Sequence, residues 1–249
     1  MGRVGIWRDA RAIVCALVLF QVLAGYPSPA RAIEESASIR VPILAYHNVD
    51  YSGSEFSVTP EQLDEQCRWL IDNGYTAITL WQFWDAAMGS GTLPANPVML
   101  TNDDGWSSAM TFAEVIGRYG IPATYFINNV SPLTSDQILV LSQLGPIEAH
   151  TVNHAHLSGM DYESQLAEIT NNVAYLEQIT GQPIHFISWP WAEADPSAVQ
   201  AAAASGIVGG FGLGGTGAFT PAVDPYHIPR ILMFATDDID TFAAKVGWW

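Results

Sequence analysis

The sequence predicts an α/β fold in a single domain, with a parallel sheet that curves toward a barrel and helices packed outside it. Apolar runs that end in turns alternate with amphipathic segments about seven times along the chain, which is the pattern of repeated strand and helix units. The chain has 249 residues, of which 49% are hydrophobic and 11% aromatic, so it can bury one large core. This length also suits closure of the sheet into a barrel.

Each predicted strand is an apolar run that ends at a turn residue or a polar residue. The strands are predicted at residues 41–46, 75–80, 98–101, 123–128, 147–151, 186–189, 207–211 and 228–234. The helices are predicted at residues 59–74, 81–88, 107–119, 135–144, 161–181, 196–205 and 239–246. The first helix has Thr59 as its N-cap, Pro60 at its first position and Gly74 at its end. The longest helix carries apolar residues three and four apart, as one buried helical face requires.

The first 32 residues have the composition of a secretory signal peptide. Three arginines precede an apolar run at 12–24, and the Ala-Arg-Ala sequence at 30–32 places small residues at the spacing of a cleavage site. The alternative is a membrane anchor, but the run has thirteen residues and contains Gln21, whereas a bilayer-spanning helix needs about 20. We therefore expect residues 1–32 to be removed, domain 33–249 to be exported to the periplasm or the extracellular space, and no stable membrane insertion afterwards.

The charge balance argues against nucleic acids and anionic membranes as partners. The chain has 9 basic and 25 acidic residues. Residues 1–32 hold four arginines and one aspartate, so removing them leaves 5 basic and 24 acidic residues, a net charge of −19. Such acidity either keeps an exported protein soluble or suits a cationic or neutral polymer.

Cysteine usage excludes a disulfide framework. Cys15 lies in the predicted signal peptide, and Cys67 is then the one cysteine left. Because Cys67 falls among Leu63, Trp69 and Leu70 in a helical pattern, we expect it to be a small buried side chain.

The stretch PVMLTNDDGW, residues 97–106, places two carboxylates directly after an apolar strand. In parallel α/β folds the reacting groups gather at the carboxyl ends of the strands. Asp103 and Asp104 could therefore serve two roles in one site, one binding a metal ion and the other accepting a proton from water. The alternative is structural, because Asp104 could cap a helix that starts near Ser107.

A group of histidines lies at the end of the predicted strand at 147–151 and just after it. The sequence EAHTVNHAHL places His150 and His154 four residues apart, with His156 two further on. Two imidazoles and one carboxylate form a ligand set that suits Zn²⁺ or a similar divalent ion and leaves positions open for water. The histidine pair alone is weak evidence, but together with an aspartate pair about 45 residues upstream it predicts a metal site.

Two other function classes receive no support. The run GGFGLGGTG contains the G-x-G-x-x-G pattern, but no helix follows it and a Thr-Pro pair interrupts the chain, so a dinucleotide site is not predicted. We expect this run to be a flexible loop over the site. The sequence has no G-x-S-x-G motif, which argues against serine hydrolysis.

Three motifs, LTNDDG, HTVNH and WPW, occur in the order and spacing of the polysaccharide deacetylase family, carbohydrate esterase family 4. The chain resembles this family over nearly all of its predicted mature length. The segments VPILAYHNVD and HIPRI are most similar to the branch that de-N-acetylates exported poly-β-1,6-N-acetylglucosamine. The resemblance implies a distorted (β/α)7 barrel and a metal-dependent hydrolase that removes N-acetyl groups from an N-acetylglucosamine-containing polysaccharide.

The resemblance implies a role for each residue of the two charged motifs. Asp103 would be the general base that activates water. Asp104 would bind the metal ion together with His150 and His154. The expected ion is Zn²⁺, with Co²⁺ or Ni²⁺ as alternatives, and it would polarise the acetamide carbonyl.

The resemblance also implies a general acid and a substrate groove. His47, in ILAYH on the first strand, is the expected acid for the leaving amine, with His227 as the alternative. A backbone N–H, that of Trp191 after Pro190, would help to hold the oxyanion. Sugar faces can stack on indole rings such as Trp106, so an N-acetylated polysaccharide or oligosaccharide is the expected partner, with no particular oligomeric state implied. The predicted substrate-binding residues are Asn102, Trp106, Pro190 and Trp191.

Two residues depart from the family pattern. Asn102 stands where an aromatic residue usually precedes the aspartate pair, and its amide could either bond the catalytic carboxylate or replace a packing contact. Ser188 stands where the wider family has an arginine that orients the base, and Arg230 on the last strand is the expected substitute. These departures keep one alternative open, a non-catalytic saccharide-binding relative. A second alternative, independent of them, is a related amidase that acts on a small amide.

Overall fold

Helices surround a mostly parallel sheet in the computed structural model, which describes residues 39–215, 218–219 and 224–247. Within these residues the strands are β1 (Ile39–Arg40), β2 (Ile43–Tyr46), β3 (Asn48–Val49), β4 (Ser57–Val58), β5 (Thr76–Ala77), β6 (Pro97–Asn102), β7 (Ala123–Ile127), β8 (Ile147–Ala149), β9 (Phe186–Ser188), β10 (Gly209–Phe211), β11 (Ala218–Phe219) and β12 (Ile231–Leu232). The helices are α1 (Pro60–Asp72), α2 (Leu80–Ala87), α3 (Ala109–Gly117), α4 (Ser135–Ser142), α5 (Tyr162–Thr180), α6 (Pro196–Ala204) and α7 (Ile239–Val246). The predicted signal peptide lies outside the described residues.

The main sheet has the strand order β10-β9-β8-β7-β6-β2-β12, and all of its neighbours pair in parallel. Strand β5 adds a further parallel pairing at the start of β6. The two ends of the sheet meet through a parallel bridge between Phe211 and Ile228. Two backbone hydrogen bonds support this bridge, from Ile228 N to Gly210 O at 2.9 Å and from Gly212 N to Ile228 O at 2.8 Å. The predicted parallel sheet that curves toward a barrel, with helices outside, is confirmed.

Short polar side chains begin most of the helices, as the sequence predicts. At α1, Thr59 Oγ1 accepts from Gln62 N at 3.2 Å and Gln62 Oε1 accepts from Thr59 N at 2.8 Å, a capping box that pairs two otherwise unsatisfied donors. Threonines begin α2 and α4 in the same way, and aspartates cap α5, α6 and α7. Because each cap satisfies backbone groups locally, these boundaries could be found from sequence alone.

Helix α3 begins two residues later than predicted, and no carboxylate caps it. Its N-cap is Ser108, whose side chain makes no capping hydrogen bond and donates instead to Asn48 Oδ1 at 3.1 Å. Asp104 lies in the left-handed region, with φ of 70°. The structural alternative for Asp104, a helix cap, is therefore not observed.

The last strand is shorter than predicted because it changes partners. Ile228 bridges Phe211 on one side of the barrel closure, whereas β12 pairs with β2 on the other side. Pro229 lies between these two pairings and has no backbone N–H to donate to a ladder. The predicted strand at 228–234 is thus divided into one bridge and a two-residue strand.

Cys67 lies inside the core, as predicted from its apolar neighbours, and it is 1% exposed in α1. Burial raises the pKa of the Cys67 thiol to about 12, so the reactive thiolate is scarce at neutral pH.

We expect Cys67 to resist thiol reagents until the protein unfolds. In a Cys15→Ser variant, in which Cys67 is the only cysteine, 5,5′-dithiobis(2-nitrobenzoic acid) at pH 8 should give almost no absorbance change with native protein. The same reagent should label about one thiol per chain in guanidinium chloride, because unfolding restores solvent access and the ordinary pKa. Complete labelling of native protein within minutes would contradict the burial of this side chain.

Candidate active site

The predicted charged residues converge on one cavity at the carboxyl ends of neighbouring strands. His47 follows β2, Asp103 and Asp104 follow β6, and His150 follows β8. Strands β2 and β7 flank β6 in the sheet, and β8 is the next strand beyond β7. The cavity has a volume of about 500 Å³ and is lined by all four of these residues and by His154. This volume is within the range of small-molecule binding sites.

Asp103 is a buried carboxylate held by a bidentate arginine contact. Arg230 Nη1 donates to Asp103 Oδ1 at 2.7 Å, and Arg230 Nη2 donates to Asp103 Oδ2 at 2.7 Å. Ser188 Oγ donates to the same Oδ2 at 2.8 Å. Burial alone would raise the pKa of Asp103, but the charge and hydrogen bonds of Arg230 hold that pKa below its usual value. Asp103 is therefore ionised at neutral pH.

Arg230 is fully buried, and each of its five N–H donors has a partner. Besides its two bonds to Asp103, Nη1 donates to Thr101 Oγ1 at 2.9 Å and Nη2 donates to Ser188 Oγ at 2.6 Å. Nε donates to Gly212 O at 3.1 Å. The expected approach of Arg230 to Asp103 is thus observed, and Ser188 contacts both groups. A guanidinium with no spare donor holds the carboxylate in one orientation.

Asp104, His150 and His154 form a cluster of three possible metal ligands. Asp104 Oδ1 lies 2.9 Å from His150 Nε2 and 3.1 Å from His154 Nε2. The ligand atoms all lie within 4.8 Å of one another. Asp104 and His154 have φ of 70° and 53°, values that are uncommon for residues with a side chain. Backbone strain of this kind concentrates at functional sites.

The hydrogen bonds of His150 indicate that a proton or a cation belongs in this cluster. His150 Nδ1 lies 2.7 Å from the Ser188 carbonyl oxygen, which can only accept, so Nδ1 carries a proton. In a neutral imidazole Nε2 is then an acceptor, and it faces another acceptor, Asp104 Oδ1, at 2.9 Å. Two acceptors at that distance need a proton or a metal ion between them. The donor set of one carboxylate and two imidazoles therefore fits the predicted divalent metal.

His47 lines the cavity, and its ring makes no hydrogen bond within the described residues. Its Nδ1 atom is buried without a partner. Burial lowers the pKa of His47, and the charges of Asp103 and Asp104 act in the opposite direction but only partly offset this effect. His47 is therefore neutral at neutral pH and has unused hydrogen-bonding capacity toward the cavity.

Two exposed tryptophans border the cavity, and the indole N–H of each donates a hydrogen bond to a residue of the Asp104–His150–His154 cluster. Trp106 is 47% exposed, and its Nε1 donates to Asp104 Oδ2 at 2.9 Å. Trp191 is 57% exposed, and its Nε1 donates to the His154 carbonyl at 3.2 Å. The Trp191 ring also stacks on His156, with centroids 4.5 Å apart and planes inclined by 11°. These contacts hold both indoles in place while leaving large apolar areas open to a ligand.

Besides Arg230, three residues named from the sequence do not line the cavity. Asn102 is buried, and its Nδ2 donates to the His47 carbonyl at 2.8 Å, so it supports the end of β2. Pro190 is buried at the start of a 3₁₀ turn, Pro190–Ala192. His227 is exposed, and its Nδ1 lies 3.0 Å from Asp224 Oδ2.

Sequence reasoning missed two polar residues of the site. Ser188 appeared only as a departure from the family pattern, yet its hydroxyl contacts Asp103 and its carbonyl contacts His150. Asn128, which lines the cavity, was not considered. Its signal was present in the sequence, because Asn128 directly follows the apolar strand β7, as the aspartates follow β6.

We expect the Asp103–Arg230 pair to be strongly coupled in stability. Arg230→Met should lower the free energy of unfolding by about 3–5 kcal/mol, because it leaves a carboxylate buried without its counter-charge. The double variant Asp103→Leu with Arg230→Met should lose much less than the sum of the two single variants. Urea denaturation of the four proteins measures this, and additive losses would show that the pair is not coupled.

Comparisons with known proteins agree on one family. Residues 90–210 match the family described as polysaccharide deacetylase. A Bacillus subtilis protein named "Putative polysaccharide deacetylase YxkH" is 28% identical over 182 residues, which are 70% of this chain and 64% of that protein. The poly-β-1,6-N-acetyl-D-glucosamine N-deacetylase of Staphylococcus epidermidis is 27% identical over 215 residues, 78% of this chain and 72% of that protein. The enzyme of the same name from Escherichia coli K12 is 37% identical over 71 residues, which are only 11% of its length.

Solved structures share the fold. The Streptococcus pyogenes deacetylase PplD superposes with a TM-score of 0.77 at 21% identity, covering 84% of this chain and 99% of that one. IcaB from Ammonifex degensii superposes with a TM-score of 0.73 at 20% identity, covering 84% of this chain and 96% of that one. The distorted (β/α)7 architecture is thus confirmed. The family match shows that residues 90–210 belong to a polysaccharide deacetylase domain, and the superpositions show its fold.

Proposed function

We propose that this protein is an exported, metal-dependent hydrolase that removes N-acetyl groups from an N-acetylglucosamine-containing polysaccharide. The observation that carries the proposal is the pair of adjacent carboxylates with different partners in one cavity. Asp103 is bound by Arg230 and Ser188, whereas Asp104 faces two imidazoles. The first is arranged to accept a proton and the second to bind a cation. The relatives named as poly-β-1,6-N-acetyl-D-glucosamine N-deacetylases support the substrate class.

Asp103 would accept the proton of the attacking water at Oδ1. Oδ2 already accepts two hydrogen bonds, from Arg230 and Ser188, whereas Oδ1 accepts one, from Arg230. Each carboxylate oxygen accepts about two hydrogen bonds, so Oδ1 has a lone pair to spare. The lowered pKa of Asp103 keeps this group in its proton-accepting form.

Asp104, His150 and His154 would hold the metal ion, Zn²⁺ with Co²⁺ or Ni²⁺ as alternatives. A divalent ion there would supply Lewis-acid polarisation of the acetamide carbonyl. The Ser188 carbonyl holds the His150 ring with Nε2 toward the cluster, a supporting contact typical of metal-bound histidines. Trp106 donates to Asp104 Oδ2, which leaves Oδ1 as the ligand atom.

His47 would donate a proton to the leaving amine. Its ring lines the same cavity as Asp103 and Asp104 and has no hydrogen-bond partner in the described part of the chain. To act as a general acid the ring must first take up a second proton, a form that the neighbouring charges of Asp103 and Asp104 favour, and it would then pass that proton to the leaving nitrogen and return to neutral imidazole. His227 is less suitable for this role because it is exposed and paired with Asp224.

The walls of the cavity fit a saccharide. Trp106 and Trp191 present apolar ring faces at its border, and sugar rings stack on such faces. Both indoles are held next to the metal cluster through their N–H groups. A sugar stacked there would lie beside the groups that act on its acetamide. The acidic balance of the chain suits a neutral or cationic polymer.

We further propose that residues 1–32 are a cleaved signal peptide and that residues 33–249 form the catalytic domain. The arginines and apolar run of the first 32 residues support this assignment. Among the described helices, none has the length and apolar character needed to cross a bilayer.

We expect Asp103→Asn to lower acetate release from N-acetylglucosamine oligomers by at least about 100-fold, because an amide cannot accept the proton. Acetate is measured enzymatically with β-1,6-linked and β-1,4-linked oligomers and with small amides as substrates. The matched control is Asp136→Asn, which removes one exposed carboxylate from α4 and should keep the wild-type rate.

Three results would contradict the proposal, and two of them would favour an alternative function. An unchanged rate in Asp103→Asn would exclude this carboxylate as the base. Acetate or amine release from small amides alone would favour the amidase alternative. Oligomer binding by the wild type without any acetate release would favour a non-catalytic saccharide-binding protein.

We expect one divalent ion per chain, held by Asp104, His150 and His154. Treatment with a chelator should abolish acetate release and lower the melting temperature, because an ion that binds only the folded state stabilises it. Adding back Zn²⁺, Co²⁺ or Ni²⁺ should restore both. His154→Ala should lower the metal content measured by inductively coupled plasma mass spectrometry. His156→Ala should not, because this neighbouring histidine lies outside the cluster. Full activity in metal-free protein would contradict the proposal.

A further inference from the structure

One polar side chain of the cavity has no role in the proposed mechanism and no partner in the protein. Among the described residues that line the cavity, two polar side chains make no hydrogen bond, His47 and Asn128. His47 is the proposed acid. Asn128 is 4% exposed, and its Oδ1 is buried without a partner.

Asn128 occupies the same place on β7 that the reacting groups occupy on the adjacent strands. It directly follows β7, which lies between β6 and β8 in the sheet. Because Ile127 pairs with Ala149, continuation of the register places Asn128 beside His150. The amide therefore lies at the strand edge where the metal cluster and the base also lie.

The backbone around Asn128 is held in one position. Ser131 Oγ donates to the Gly105 carbonyl at 2.5 Å and accepts from Leu133 N at 3.1 Å, which joins the loop after β7 to the turn after Asp104. A Cβ atom at position 105 would lie 2.8 Å from Ser131 Oγ, so the two segments are in close contact. On the other side, Asn129 Oδ1 accepts from Asn172 Nδ2 at 2.7 Å. The backbone on both sides of Asn128 is thus fixed, and Asn128 itself lines the cavity.

A buried amide without a hydrogen bond destabilises the folded protein, and such groups in native structures call for an explanation. An amide offers both a donor and an acceptor, so either orientation of its oxygen and nitrogen leaves bonding capacity unused here. A sugar carrying an acetamide offers hydroxyl groups and an N–H that can satisfy both.

We propose that Asn128 is a substrate-binding residue whose amide hydrogen bonds to the N-acetylhexosamine unit that loses its acetyl group. This inference rests on the proposed function. The contact places that sugar beside His150 and favours a polar saccharide over an apolar amide, because an apolar ligand would leave the Asn128 amide unpaired.

The test compares Asn128→Leu with Tyr125→Phe. Tyr125 lies on the same strand and its hydroxyl is also buried without a partner, but it packs against Phe112 in the core and does not line the cavity. Each substitution removes a buried, unpaired polar group, so neither should lower the melting temperature. Asn128→Ala provides a second variant in case leucine does not fit.

We expect Asn128→Leu to lower kcat/KM for acetate release from an N-acetylglucosamine pentasaccharide roughly tenfold, mainly through KM, which is the effect of one lost hydrogen bond. Tyr125→Phe should keep kcat/KM within about twofold of the wild type. The melting temperatures of both variants should equal or exceed that of the wild type. Unchanged kcat/KM in both Asn128 variants would overturn the inference, and so would a loss of activity that accompanies a marked drop in melting temperature.

Calorimetric binding of the same pentasaccharide to Asp103→Asn protein, with and without Asn128→Leu, separates this inference from the proposed function. If the wild type binds the oligomer but releases no acetate, the proposed function fails, and a roughly tenfold loss of affinity still supports the role of Asn128. If the wild type releases acetate and substitution of Asn128 changes neither the affinity for the oligomer nor kcat/KM, only the inference fails. If the wild type neither binds nor cleaves the oligomer, both fail.

Discussion

The buried ion pair of Asp103 with Arg230 is the contact on which the rest of the site depends. Removing two charges from water costs several kcal/mol per ion, and only close geometry with full hydrogen bonding offsets this cost. Arg230 meets that requirement with all five donors paired. Asp103 directly follows β6, and Arg230 lies in the segment between the Ile228 bridge and β12 that closes the barrel. Closing the sheet therefore also orients the carboxylate. Ser188 extends this support to the cluster of Asp104, His150 and His154, since its hydroxyl contacts the pair and its carbonyl contacts His150.

Strain in the backbone is concentrated around the cavity. Six non-glycine residues of the described chain have positive φ, and five of them lie in the loops that form the site: Asp104, Thr151, His154, Trp191 and Ala192. Each such residue costs on the order of 1–3 kcal/mol and persists only where the surrounding structure determines it. The rigid barrel and the buried ion pair provide that surrounding structure. Asp104 and His154 are thereby held with their ligand atoms together, although their local conformations are unfavourable.

The sequence predicted those parts of the fold that are determined within a few residues. Capping threonines and aspartates satisfy the first N–H groups of their own helices, so most helix starts were found. The boundaries that moved depend on other elements. Strand β12 is short because Ile228 pairs with Phe211 across the barrel closure, and the Ser108 hydroxyl before α3 donates to Asn48 instead of capping the helix. Neither partner is a neighbour in sequence.

The sequence by itself determined the α/β class and showed that carboxylate and imidazole side chains lie at the ends of strands. Periodicity, caps and adjacent charged residues are local properties of the chain. It also led to Asp103, Asp104, His150 and His154 as one group, since parallel strands bring their carboxyl ends to the same edge. Only the tertiary structure decided which polar groups are paired and which are not. Arg230 lies 127 residues from Asp103, and whether it reaches that carboxylate depends on how the barrel closes. The unpaired amide of Asn128 is likewise a property of its surroundings, because hydrogen bonding inside a folded protein is decided by distance in space.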